Sequence, residues 1–201
     1  MRFQRQNYVA PAEVLTREIA NLLPDYLPGK DTGPLAITDA RSSWIKTAKA
    51  LLETLGHNYG VDVFVDETTE RDGHHQLKVL WKRGDGISLA AISGWGNREE
   101  LERSFLRLET LKAPQKLLLY TCLRWEEAVV EQLSAAILRY PHHIEGEQYL
   151  ALNLKGTETQ ISAYVRDIPR SGILSLSEAM FQPLPGSPFS WSMPNSAVGR
   201  R

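Results

Sequence analysis

Asp62, Asp66 and Asp85 are the residues whose type and spacing could hold a divalent cation. Carboxylates are the hard oxygen ligands such an ion takes, and the bound ion can activate water for hydrolysis. Asp62 and Asp66 fall in VDVFVD, where apolar and acidic residues alternate, so both project from one face of a strand. The same alternation describes an ordinary strand with one wet face. Asp85, within Gly84-Asp85-Gly86, is a residue type that tight turns select. Solvated acids are the simpler reading. A metal site built on these acids is the enzymatic alternative, and Mg²⁺ enters only with it.

Basic residues gather in the same region. Lys78, Lys82 and Arg83 surround the turn, Arg98 opens the next helix, and Trp81 and Trp95 lie near them in sequence. Cations with aromatic neighbours can hold a nucleic-acid backbone and stack a base, which makes Lys78, Lys82, Arg83, Trp95 and Arg98 the binding candidates. Against this, Glu99, Glu100, Glu102 and Glu109 interleave with Arg98, Arg103 and Arg107, as on a solvated helix. His74-His75 and His142-His143 are adjacent pairs, and neighbouring side chains in a strand point to opposite faces. Zinc would need four ligands from separate loops with one cysteine to help, so these read as exposed loop histidines. Cys122 follows LLLYT and reads as a buried structural thiol. The chain has no glycine-rich phosphate loop and no Gly-x-Ser-x-Gly elbow.

The hydrophobic pattern outlines the elements that must position these groups. Pro11–Leu23 places Val14, Leu15, Ile19, Leu22 and Leu23 on one helical face, and Pro24 opens a connection running to Pro34. Ser42 or Ser43 caps a second helix bearing Trp44, Ala48, Leu51, Leu52 and Leu55, with Gly56 as its stop. Strands follow at Val61–Asp66, Leu77–Trp81 and Ile87–Ser93, with a loop at Glu67–His75 and a turn at Lys82–Gly86. Asn97 and Glu100 give a capping-box pattern for helix Arg98–Lys112, whose buried face is Leu101, Phe105 and Leu108.

Lys116–Cys122 is apolar without alternation, as in a strand covered on both faces. A helix over Trp125–Tyr140 follows, then strands Gln148–Leu154 and Thr159–Asp167 joined by the turn Lys155–Glu158. This order predicts an α/β fold with a mixed central sheet and helices on both faces. Residues 1–41 form an N-terminal helix and a wrapping connection, 42–169 the core, and 170–201 a Pro/Ser-rich extension. That extension holds one short helical piece, Ser177–Phe181, and is anchored by Phe181, Phe189 and Trp191.

Composition narrows the function classes. Among 201 residues, Lys plus Arg is 23 against 24 for Asp plus Glu, so the net charge of −1 gives no general pull toward nucleic acid. The lone Cys122 cannot form an internal disulfide, and no apolar run approaches the roughly 20 residues of a membrane helix. The chain reads as cytoplasmic.

The segment LAAISGWGN, with the order of elements around it, resembles the PD-(D/E)XK nuclease superfamily. Some branches carry a strand reading Leu-Ala-Ile-Glu-Ser-Glu-Trp-Gly, preceded by a strand with a metal-binding Asp. Leu89, Ala90, Ser93, Trp95 and Gly96 match that pattern, while Ile92 and Gly94 stand where the two acids belong and Lys78 where the Asp belongs. SFLRLETLKAPQKLLLY is similar to the helix and strand that close the family's core. The helix bearing Trp44 resembles its first helix, which in many members offers another acid.

The resemblance covers about residues 42 to 155. It implies a restriction-endonuclease-like core without the ligands for its metal. Isoleucine and glycine offer no side-chain oxygen, and a lysine repels the cation. The expectation is a pseudo-nuclease with no catalytic residues and no cofactor, acting as a binding or assembly module in a nucleic-acid-processing or defence-type system. Its partner would be a protein, nucleic acid or a second copy of the chain. The alternative is an active Mg²⁺-dependent nuclease using Asp62, Asp66 and Asp85.

Overall fold

The computed structural model describes residues 8–26, 37–69, 75–94, 97–122, 126–154, 160–169 and 174–190. Residues 1–7, the connection 27–36, His74, Trp95, Gly96, Trp125, the turn Lys155–Glu158 and Trp191 lie outside the described residues. Among the described residues eight strands make one sheet. Its order is β1 (Asp62–Thr69), β2 (His75–Arg83), β3 (Gly86–Gly94), β4 (Gln115–Tyr120), β5 (Gln148–Leu154), β6 (Gln160–Asp167) and β7 (Gln182–Pro183). The two-residue strand β8 (Phe189–Ser190) also pairs with β6.

Strands β1, β2 and β3 are antiparallel to one another, β3, β4 and β5 run parallel, and β6 turns back antiparallel to β5. Helices α1 (Ala12–Tyr26) and α2 (Ile37–Asn58) cover one face, and α3 (Arg98–Thr110) and α4 (Glu126–Arg139) cover the other. This is the α/β fold with a mixed sheet that the hydrophobic pattern predicts. Parallel strands need crossovers, and α3 and α4 supply them.

The central strands QKLLLY and QYLALNL are buried at every position because helices lie on both sides. Leu117, Leu119, Leu150 and Leu152 pack beneath α1 and α2. Leu118, Tyr120, Tyr149 and Ala151 pack beneath α3 and α4. Among the described residues no helix is long and apolar enough to cross a membrane.

Several boundaries differ from the sequence expectation, each for a local reason. Helix α1 runs through Pro24 to Tyr26. Its last turn is held by the Thr47 hydroxyl, which donates to the Tyr26 carbonyl at 3.0 Å. Val14 turns to solvent while Leu15, Ile19 and Leu23 are buried. Helix α2 begins at Ile37, so Ser42 and Ser43 lie inside it rather than at its cap. A serine costs a helix at most about 0.7 kcal/mol, too little to stop it.

Nor does Gly56 end α2. The stop is Gly60, at φ +64, with Gly60 N–H on the His57 carbonyl (3.0 Å) and Val61 N–H on the Gly56 carbonyl (3.1 Å). That bond pair is a Schellman motif, and its left-handed position is glycine's.

The strands are longer and the turns shorter than expected. Thr69 pairs with His75 and Arg83 with Gly86, which consumes both ends of the anticipated loop and reduces the second turn to Gly84-Asp85. Gly84, at φ +60, fills the first position of that two-residue turn. Strand β4 stops at Tyr120. Beyond it Asn153 clips Cys122, accepting its N–H and donating to its carbonyl, both at 2.9 Å.

The segment after residue 170 holds more than one helical piece. Helix α5 (Leu176–Ala179) is followed by β7 and β8, which line the β6 edge, with Phe181 and Phe189 buried.

Asn97 caps α3 as expected, its side chain accepting the Glu100 N–H at 3.0 Å. Replacing Asn97 with alanine is expected to lower stability by about 1 kcal/mol, measured by urea unfolding.

Candidate functional site

Lys78, Ile92 and Gly94 lie on the α3 side of β2 and β3. Lys78 and Ile92 are cross-strand partners, and Gly94 follows on the same face of β3. Ile92 is 2% exposed. A Cβ built on Gly94 would stand 2.7 Å from Leu101 Cδ2 and 3.6 Å from both Leu118 and Ser104. Helix α3 therefore sits where a carboxylate side chain would need to extend. Lys78 is half-exposed and ion-paired, its Nζ 2.6 Å from Asp66 Oδ2. Helix α2 packs on the opposite face, so an acid on it would be separated from these positions by the sheet.

Asp62 and Asp66 do share a face, as the alternation implies. They stand four residues apart on β1, about 13 Å at strand rise, opposite Lys82 and Lys78 respectively. One ion cannot bridge that separation. Asp85 is exposed at the hairpin tip. Among the described residues no three His, Cys, Asp or Glu side chains converge as metal ligands.

The basic candidates are dispersed. Lys82 Nζ sits 4.4 Å above the half-exposed Phe64 ring, an exposed cation–π contact. Arg83 donates to the Tyr59 carbonyl at 3.4 Å, on the α2 side, and Arg98 donates to Gln132 of α4. Lys78 and Lys82 thus share one face of β2, while Arg83 and Arg98 are engaged elsewhere. Trp95 lies outside the described residues.

The densest polar chemistry lies at the other end of the sheet, in residues of which the sequence reading singles out His143 alone, and that one as an exposed loop residue. Lys116 and Glu147 form an ion pair at 2.6 Å with both side chains 1% exposed. Lys116 Nζ also donates to the Glu109 main-chain carbonyl (2.7 Å) and to the Tyr149 hydroxyl (3.0 Å). The first of these satisfies a carbonyl at the end of α3 that has no helical partner. Tyr149 passes its own hydrogen to Glu147 Oε2 at 3.0 Å.

His143, read from sequence as an exposed loop residue, is instead buried here; His142 is exposed. Its Nε2 faces the Ile137 carbonyl at 2.8 Å, and its Nδ1 lies 3.3 Å from Glu147 and 3.2 Å from the Tyr149 hydroxyl. The ring also meets Tyr140 and Tyr149 edge-on.

Burial pushes the Lys116 ammonium down, opposed by its bond to Glu147. Burial likewise pushes the Tyr149 phenol up, helped by the carboxylates of Glu147 and Glu109. The only sequence signal for this cluster is a lysine opening an otherwise apolar strand. Its partners come from distant parts of the chain.

These residues define an α/β protein with an enclosed polar cluster and a β1–β2 face on which lysines stand opposite aspartates. No protein-family model, no curated protein and no solved structure matches the chain.

Proposed function

We propose that this chain is a catalytically inactive protein of the PD-(D/E)XK type that acts as a binding or assembly module. One observation carries the reading: two of the three positions where the resemblance calls for acids are packed shut, with Ile92 buried and Leu101 lying against Gly94, and the third is the half-exposed Lys78. The helix–strand–strand–strand–helix–strand order from α2 to β4, with β4 parallel to β3, is compatible with such an ancestry. The distance between Asp62 and Asp66, and the pairing of Asp66 with Lys78, weigh against relocated acids. A protein partner fits better than nucleic acid, because each lysine of the β1–β2 face stands opposite an aspartate.

The test is plasmid cleavage with Mg²⁺ or Mn²⁺, alongside binding of labelled DNA and RNA at about 50 and about 200 mM salt. No cleavage is expected, and no retention that falls with salt. Metal-dependent nicking lost in an Asp66→Ala variant would overturn the reading. Salt-sensitive binding weakened by Lys78→Ala and Lys82→Ala would transfer the role to nucleic acid.

A further inference from the structure

Glu109, in the last turn of α3, is 1% exposed, and among the described residues neither of its carboxylate oxygens has a hydrogen-bond partner. The donors around it are committed. Lys116 Nζ donates to the main-chain carbonyl of Glu109 and to Tyr149, and it is ion-paired with Glu147 Oε1 at 2.6 Å. Arg139 of α4 reaches Glu102 at 2.8 Å, and the His143 Nε2 hydrogen goes to the Ile137 carbonyl. The one negative charge Lys116 can cancel at contact is already that of Glu147. An ionised Glu109 is therefore a buried anion without a donor, whereas a protonated one buries no charge.

We propose that Glu109 is a proton-operated fastener. When it is protonated, the end of α3 closes onto the connection from Tyr140 to Glu147. When it is ionised, that connection opens to water.

The connection is tied down at its Gly146–Glu147 end by three hydrogen bonds. Gly146 N–H bonds the Ile168 carbonyl at 3.1 Å, Ile168 N–H bonds the Glu147 carbonyl at 2.8 Å, and the Tyr8 hydroxyl bonds the Gly146 carbonyl at 2.5 Å. Opening would release all three contacts and loosen the segment before α1.

Burial pushes the Glu109 carboxyl up to about 7, against the pull of His143, Lys116 and Arg139 and with a push from Glu147. Tyr140 and Tyr149 complete the titratable groups around it. The sign follows from a raised carboxyl. Its contribution to stability is whole below about 4.5 and is lost as pH rises through about 7. The device is independent of the binding role.

The test is urea unfolding of the full chain and of Glu109→Gln, which mimics the protonated acid, at about pH 5.5 and about pH 8.5. The unfolding constant of the unsubstituted protein should rise about thirtyfold more than that of the variant over this range. Hydrogen exchange, corrected for intrinsic rates, should show Gly146, Glu147 and Ile168 losing protection at the higher pH in the unsubstituted protein only. Should Glu109→Gln fail to fold, the carboxyl of Glu109 can be followed directly by ¹³C NMR in the unsubstituted chain. A midpoint near 4.5, or equal pH slopes in the two proteins, would overturn the proposal, as would protection at Gly146 that does not change with pH.

Discussion

Lys116→Met is expected to destabilise the protein by about 3–5 kcal/mol, because it breaks a buried ion pair from one side only. The cost is not the worth of the ion pair. Methionine fills much of the same volume, but it leaves Glu147 buried, charged and without its cation 2.6 Å away. It also strips the Glu109 carbonyl and the Tyr149 hydroxyl of their donor.

The double variant Lys116→Met/Glu147→Leu separates the two explanations. If the stranded carboxylate carries the cost, the double variant should recover a substantial part of it, because an apolar pair of similar volume replaces a buried ion pair with little loss. If instead the double variant is no better than the single, the lysine acts chiefly as the cap of α3. Equilibrium unfolding in urea measures both, with an unchanged slope against denaturant showing that the native state is comparable.

Much of the fold was legible because it depends on local pattern. LLLY and LAL are apolar at consecutive positions, and the parallel strands they mark are covered on both faces. Leu101, Phe105 and Leu108 repeat at helical spacing, and all three are buried beneath α3. What escaped depends on contacts between distant residues.

Lys116 opens an apolar strand, yet whether it is buried depends on Glu147, which lies 31 residues later and becomes adjacent only when β4 pairs with β5. His143 reads as an exposed loop histidine because an adjacent His142-His143 pair is no natural chelate, whereas its side chain is buried against Tyr140 and Tyr149. The resemblance places no acid at Lys78, Ile92 or Gly94, but sequence alone could not tell that α3 occupies the space beside Gly94. Gly56 illustrates the same limit: the residue type suggested a helix stop, whereas its lack of a side chain serves packing.

Gly56→Ala is the second large expected effect, and two opposing terms decide its sign. Inside a helix, alanine is favoured over glycine by about 1 kcal/mol, so propensity alone predicts a more stable protein. Packing opposes this. A Cβ at position 56 would stand 2.3 Å from Val63 Cγ2, 2.9 Å from Trp81 Nε1 and 3.2 Å from Trp81 Cε2. Trp81 is fully buried and in contact with Tyr59, and Val63 is β-branched with little rotamer freedom.

Relief therefore needs α2 to lift from β1 and β2. Overpacking of a well-filled core typically costs about 1–3 kcal/mol, and contacts this short lie at the upper end. The clash should win, leaving the variant less stable by about 1–2 kcal/mol after propensity is subtracted. Val63→Ala removes the nearest obstructing atom, so Gly56→Ala should cost less in that background than alone, a coupling read from a double-mutant cycle of urea midpoints. If Gly56→Ala were as stable as the unsubstituted protein, α2 would have to stand farther from the sheet than the contact with Val63 and Trp81 requires, and the close helix–sheet approach that shapes this face would be wrong.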